Sequence, residues 1–225
     1  MKKIGILGAG KVGIVLAQLA LKAGYEVIIA NSGPASQIAL TIEVLAPGAV
    51  ASDALGVAKE ADIVILALPL SKYSSIDAES LANKVVIDAM NYWWEVDGIQ
   101  DKFTNPLQAT SELIQDYLNQ SIVIKAFNHM GYHDIYDESR IDRLGDRKAI
   151  AVAGDHKQAI NDVMEIVKNL GFDPINIGSL AESIKLEPGS AAFGANVSKD
   201  ELGYMINHFY ESERGQMIIQ ARKNK

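Results

Sequence analysis

Three glycines, Gly8, Gly10 and Gly13, are spaced G-x-G-x-x-G within the run Gly8-Ala9-Gly10-Lys11-Val12-Gly13. A bare main chain at Gly8 permits a tight turn, at Gly10 it lets a pyrophosphate come close, and at Gly13 it lets a helix lie against a sheet. Unpaired N–H groups of a helix opening at Lys11 would then face the phosphates. The spacing is weak by itself. It gains force from the apolar run before it, the helical pattern after it and a second apolar run that ends at Ala30. All six residues are expected to bind a dinucleotide.

The residues just past the second apolar run select the dinucleotide, because an acid there binds a ribose 2′-hydroxyl and repels a 2′-phosphate. Here the run ends in Ala30-Asn31-Ser32-Gly33-Pro34, without a carboxylate. Asn31 and Ser32 can donate hydrogen bonds to a phosphate, which favours NADP(H) over NAD, and Lys11 can reach the same phosphate as a point charge. Ligands of an open parallel sheet lie outside the carboxyl ends of its strands. Leu68, Pro69, Met90, Asn91 and Asn128, each just past an apolar run, are therefore expected to line the nicotinamide.

The elements that must hold these residues read as an α/β chain. Buried strands are expected over 2–7, 26–30, 62–68, 84–88, 121–127, 149–153 and 173–177, with a helix over 11–23 that stops at Gly24. Asp155 is placed to cap a further helix running to Leu170 and stopping at Gly171. Alternation at this spacing predicts a Rossmann fold: a doubly wound, mostly parallel sheet with helices on both faces, extended by a small C-terminal α/β portion. Residues 1–127 would form the dinucleotide-binding domain, and 128–225 an extension that completes the sheet and supplies an acceptor and dimer region, the two making one compact unit. Two long stretches, 91–107 and 128–147, read as loops of the kind that carry function. Small residues over 187–196 break the helical pattern, and 200–222 reads as helical, with Leu202, Met205, Ile206 and Phe209 facing a core or a second subunit.

Composition narrows the chemistry. A net charge of −7 disfavours a nucleic-acid-coating surface, and no apolar window is long enough to span a bilayer, so neither nucleic acid nor membrane is expected as a partner. The absence of cysteine excludes disulfides and thiolate catalysis or metal binding, which leaves redox work to a bound cofactor. No signal-peptide pattern opens the chain, and a cytoplasmic location is expected.

Several segments together resemble one family. The glycine run, Asn31-Ser32-Gly33-Pro34, Asp88-Ala89-Met90-Asn91-Tyr92-Trp93, Lys125-Ala126-Phe127-Asn128-His129 and Ala151-Val152-Ala153-Gly154-Asp155 are similar to those of the NADPH-dependent deazaflavin (coenzyme F-420) reductases and their relatives, among them the cytosolic domain of six-transmembrane metalloreductases. The resemblance implies a Rossmann domain with a small C-terminal extension, a homodimer, and hydride transfer between NADP(H) and a flavin-like or deazaflavin acceptor. It also implies that Ala9, Gly10, Lys11 and Val12 hold the pyrophosphate, Asn31 and Ser32 the 2′-phosphate, and Leu68, Met90 and His129 the nicotinamide side. Many relatives carry an arginine at the Asn-Ser turn, where this chain continues to Gly33-Pro34.

Hydride transfer to a flavin-like ring needs proximity and stacking more than a strong acid. A carbonyl or imine acceptor would need a proton donor, for which His129 and Tyr92 are the catalytic candidates. His129, His133 and Asp134 could suggest a metal, but their loop context favours hydrogen bonding or substrate lining, and no metal is expected. Trp93 and Trp94 can roof a flat ring or pack a loop. Arg140, Arg143, Arg147 and Lys148 can meet an anionic acceptor tail or form a solvated lid. Three function classes fit these residues: an NADP-linked oxidoreductase with a small flavin-like acceptor, a reductase of a small carbonyl or imine, and a non-catalytic NADP(H) sensor.

Overall fold

The computed structural model describes residues 2–143 and 145–224. Short apolar runs buried on both faces become the inner strands of one sheet, with two partly exposed strands at its edges: β1 (Lys3–Leu7), β2 (Glu26–Ala30), β3 (Val50–Ser52, an edge), β4 (Ile63–Leu66), β5 (Val85–Asp88), β6 (Ile122–Lys125), β7 (Ala149–Gly154) and β8 (Asp173–Asn176, the other edge). Their spatial order is β3-β2-β1-β4-β5-β6-β7-β8. The first six are parallel, so the carboxyl ends of β1, β2, β4, β5 and β6 share one edge, and the order reverses between β1 and β4. A crevice opens at such a reversal. β7 joins β6 antiparallel, Lys125 opposite Ala153, and β8 runs parallel to β7, which carries the sheet across residues 127 and 128 without a break.

The helices are α1 (Lys11–Lys22), α2 (Ala39–Leu45), α3 (Ala54–Glu60), α4 (Trp94–Asp97), α5 (Thr110–Tyr117), α6 (Tyr132–Glu138), α7 (Lys157–Asn169), α8 (Lys199–Asn207) and α9 (Glu213–Lys223). Alternation along the strands sorts them into two layers. Ile4, Ile6, Val27, Ile29, Ile65 and Ile124 point into a core covered by α1, α2, α6 and α7. Leu7, Ile28, Val64, Leu66, Val86 and Val123 point into a core covered by α3 and α5, which α8 continues over Ala149 and Ala151 of β7.

Four local expectations are corrected. β3 is an edge strand of three residues, too short to leave a period. The loop over 128–147 contains α6. The cap of α7 is His156, whose side chain accepts from the Ala159 amide, while Asp155 accepts from the Leu180 amide and ties α7's start to the following 3-10 helix. The single helix over 200–222 is two, α8 and α9: a Cβ at Gly215 would strike the Phe209 carbonyl, and Ser212 caps a fresh start by accepting from the Gly215 amide. The C-terminal piece is anchored through Arg214, which donates to the Pro188 carbonyl and to Glu187 Oε2 at 2.7 Å. Glu187 also accepts from the Thr110 amide and hydroxyl, and burial pushes its carboxyl above the ordinary range.

Main chain meets main chain closely where β1's turn passes into α1. Gly8 has φ +119°, and a Cβ there would overlap the Ala67 carbonyl; a Cβ on Gly13 would overlap the Gly8 carbonyl. Neither neighbour is a side chain that can swing away. Gly13→Ala should therefore cost on the order of 3 kcal/mol, read as a fall in melting temperature of roughly 6–12 °C; an unchanged melting curve would show that α1 can lift off the sheet freely.

Candidate functional site

Gly10 is the N-cap of α1, in extended backbone, with no side chain to cap the helix and no acid in its first turn. The first-turn amides are thus left for an outside acceptor. Nothing lies within 4 Å of where a Gly10 Cβ would be. Of the three glycines, two are bare because the protein crowds them and one faces open space, which is the cradle a pyrophosphate requires. At the end of β2, Asn31 and Ser32 are exposed, and the Gln37 side-chain amide lies where a Cβ on Gly33 would be, adding a polar group to that turn. Lys11 does not lean on this turn; its Nζ stands 5.3 Å from the centroid of the Tyr132 ring, between the glycine turn and α6.

From the glycine turn a cleft of about 660 Å³ runs along the carboxyl edge past β4, β5 and β6. Leu68, Pro69, Met90, Asn91, Asn128 and His129 all line it, together with Lys11 and Val12 of the cradle, so the sheet brings the expected nicotinamide residues together. Ala67, Asp97, Tyr132 and Phe193 line it too, and sequence reasoning did not single them out. Trp93 and Phe193 meet edge to face, 5.5 Å between centroids, and form an aromatic wall. Trp94 is absent from the lining and exposed, so one tryptophan of the pair serves the cleft. Asp97 closes that wall: one carboxylate oxygen accepts from the Trp93 amide at 2.9 Å, the other from the Ser71 amide at 2.8 Å, which joins the segment after β5 to the segment after β4.

Beneath the cleft lies a buried ion pair. Lys125 Nζ is 3.0 Å from Asp88 Oδ2, both side chains at most 1% exposed, and Asp88 also accepts from the Ser111 hydroxyl of α5. The pair holds one residue by both ends: Asp88 Oδ1 accepts from the Met90 amide at 2.9 Å, and Lys125 donates to the Met90 carbonyl at 2.7 Å. Next to it, Asn91 Nδ2 donates to the Asn128 carbonyl, and Asn128 Nδ2 to Asn91 Oδ1 and the Leu186 carbonyl. Their mutual fit depends on Phe127, a buried residue with φ +64° that turns the chain sharply after β6.

The two proton-donor candidates are corrected by their partners. Tyr92 lines a separate, smaller pocket, and its hydroxyl donates to the Gly98 carbonyl and accepts from the Gln100 amide, which spends it on the shape of its own loop. His129 is 1% exposed, and its Nε2 accepts from the Ala151 amide at 3.1 Å, so the proton sits on Nδ1, which has no full partner and only partial support from the Ala192 backbone. Burial drives its pKa down to about 4. It lines the cleft as a fixed neutral ring. His133 sits on α6 with its ring 4.0 Å from that of Tyr132, while His129 precedes the helix, so the two histidines share no helix face. Two members of the basic run bond to the protein itself: Arg147 is buried and donates to the Arg143, Lys168 and Ile141 carbonyls, and Arg140 donates to the Asp137 and Ser139 carbonyls and to Glu138, while Arg143 is exposed.

Known proteins share much of this geometry. Residues 3–92 match the family model described as NADP oxidoreductase coenzyme F420-dependent. The match takes in the stretch from β1 to Tyr92, less than half of the chain. Metalloreductase STEAP3 of Rattus norvegicus is 27% identical over 187 residues, 82% of this chain and 36% of the rat protein, so the chain spans about a third of that relative. A hypothetical protein of Sinorhizobium meliloti of known structure superposes with a TM-score of 0.76 at 25% identity, covering 89% of this chain and 97% of that one. The structure of a candidate F420-dependent NADP-reductase from Arthrobacter shares the fold, with a TM-score of 0.67 at 24% identity over 80% of this chain and 86% of that one. The family match ends at β5 and its turn, so it covers the cradle, Leu68 and Met90; the Asp88–Lys125 pair and the Trp93–Phe193 wall each extend beyond it.

Gly10→Asp should abolish NADP(H) binding by placing charge in the phosphate space, yet keep or raise the melting temperature, since aspartate is a favoured N-cap and meets no neighbour there; calorimetric titration with retained affinity would move the cradle elsewhere. For His129, folding lowers the pKa from 6.5 to about 4, so its contribution is fully present above pH 6.5 and is lost as pH falls toward 4. The loss should be on the order of 3 kcal/mol. Urea unfolding at pH 7 and at pH 4.5 should show a smaller pH effect in His129→Gln than in the wild type, and equal effects would contradict a neutral buried imidazole.

Proposed function

We propose that this protein is an NADP(H)-dependent oxidoreductase that passes a hydride between the nicotinamide and a flat flavin-like or deazaflavin acceptor at the carboxyl edge of the sheet. The observation that carries the reading is the cleft's lining: an apolar floor of Ala67, Leu68 and Met90 and an aromatic wall of Trp93 and Phe193, with Tyr92 turned into its own loop and His129 held as a neutral buried ring. A ring accepting hydride can take its proton from water, whereas a carbonyl or imine gains from a positioned donor. Gly10 and the first-turn amides of α1 would hold the pyrophosphate, Asn31, Ser32 and Gln37 the 2′-phosphate, and Met90, fixed at both amide ends, would set the nicotinamide's position.

The carbonyl and imine reading keeps one handle, because Tyr132 on the cleft lining bears a hydroxyl and has the Lys11 ammonium over its ring. Purified protein should oxidise NADPH in preference to NADH when offered a deazaflavin, FMN, FAD or ferric chelates, and Tyr132→Phe should leave those rates within about threefold. Turnover with small imines that Tyr132→Phe abolishes would favour the rival. Quenching of Trp93 by NADPH without turnover of any acceptor would favour a sensor.

A further inference from the structure

With His129 neutral, two charged side chains line the cleft among the described residues: Lys11 at the glycine turn and Asp97 in the aromatic wall. The ion pair beneath the floor joins opposite charges 3.0 Å apart and adds little net charge. Asp97 is uncompensated. It is buried, its two oxygens accept from the Ser71 and Trp93 amides, and no lysine or arginine pairs with it among the described residues. Amide donors fix a carboxylate in place without removing its charge. Lys102, which lies over the rings of Tyr73 and Phe103, is absent from the cleft lining, as are Lys72, Arg143 and Lys148. In an apolar wall the Asp97 charge is screened less than a charge on the open surface.

This arrangement of charge fits one oxidation state of the dinucleotide better than the other. Both states bring negative phosphates to Lys11 and the α1 amides, but the oxidised nicotinamide alone is a cation. We propose that Asp97 is an electrostatic and positioning residue, which holds the Trp93 wall and presents a fixed negative charge to the positive charge that develops on the nicotinamide as hydride leaves. The proposal rests on the hydride-transfer reading and assigns a residue to its charge balance. The C4–H bond of the dihydronicotinamide breaks, and both its electrons go with the hydrogen to the flavin-like ring, which is reduced and takes a further proton from water. Loss of hydride leaves the nicotinamide oxidised, with one positive charge. A carboxylate already held by amides from two loops needs no reorganisation at that moment.

The test is the affinity of the full chain for NADP⁺ and for NADPH, each by calorimetric titration. Asp97→Asn keeps the side chain's shape and removes its charge; its Kd for NADP⁺ should rise about tenfold while its Kd for NADPH stays within about twofold. Bound NADPH then becomes the poorer hydride donor, by about 30 mV for a two-electron couple. A wall that is merely loosened would weaken both forms alike and leave their ratio unchanged. Val96→Lys, at a 65% exposed side chain that lines the cleft next to Asp97 in the chain, adds a positive charge without touching the buried amides, and should move the ratio the same way by about threefold or more. A ratio that stays at the wild-type value in Asp97→Asn, or in Val96→Lys should Asp97→Asn not fold, overturns the proposal and leaves hydride transfer standing. A shifted ratio without turnover of any acceptor overturns hydride transfer and leaves the charge assigned. Wild-type protein that binds neither form overturns both.

Discussion

Asp88 and Lys125 end two neighbouring parallel strands on the same face of the sheet, and the cleft is organised around their contact. Two charges at most 1% exposed are costly to bring out of water, and their mutual attraction repays that cost when the remaining hydrogen-bonding atoms are also satisfied. Here they are: the Ser111 hydroxyl and the Met90 amide complete the carboxylate, and the Met90 carbonyl takes another ammonium proton. The consequence is directional. A backbone segment that leaves a strand would normally follow its side-chain packing, but Met90 has both its N–H and its C=O fixed from below. Removing one charge would strand the other, at about 3–5 kcal/mol. The pair acts as a stability element that sets the floor of the cleft.

That floor works against a second constraint on the opposite side of the switch point. Gly8 and Gly13 are bare because main-chain carbonyls occupy the space a Cβ would need, which locks α1 onto β1; Gly10 is bare against open space. Packing and function therefore divide one motif between them, and the division explains why a motif weak as a pattern becomes decisive in place. In the proposed reading the cradle would hold the phosphates; the ion pair fixes Met90, and between them, just past β4, the cleft is lined by the uncharged Ala67, Leu68 and Pro69.

Much of this was legible because parallel strands buried on both faces must be continuous apolar runs, and their carboxyl ends must share an edge. Leu68, Met90, Asn91 and Asn128 could be gathered from positions along the chain for that reason alone. Direction was not legible: nothing in Ala149-Ile150-Ala151-Val152-Ala153 distinguishes a parallel from an antiparallel neighbour, and β7 pairs antiparallel with β6. Residue type misled at His129, Tyr92 and Arg147, three side chains with catalytic or ligand-binding chemistry whose partners are backbone groups: the Ala151 amide, the Gly98 carbonyl and the Lys168 carbonyl. Backbone partners carry no mark in a sequence. Phe193 went unseen for the complementary reason, since it lies in a stretch of small residues whose lack of period says only that no helix forms there, and distant chain returns it to Trp93.

The left-handed turn at Phe127 shows how these constraints reinforce one another. A bulky residue at φ +64° is strained by about 1–2 kcal/mol, and a glycine there would relieve it. The phenyl ring, however, is buried in the core beneath α1 and α6, and the turn it makes delivers Asn128 against Asn91 and the Leu186 carbonyl. The strain is held in place from both ends: Lys125, two residues before it, is bound to Asp88 and Met90, and His129, two residues after it, is bound to Ala151 of the antiparallel strand. A neutral imidazole suits that second post better than a charged one, because a ring that must accept the Ala151 amide cannot carry a proton on Nε2. The same burial that holds His129 neutral thus makes it a fixed post for the cleft wall, so that the turn at Phe127 is pinned on one side by a buried ion pair and on the other by an uncharged ring.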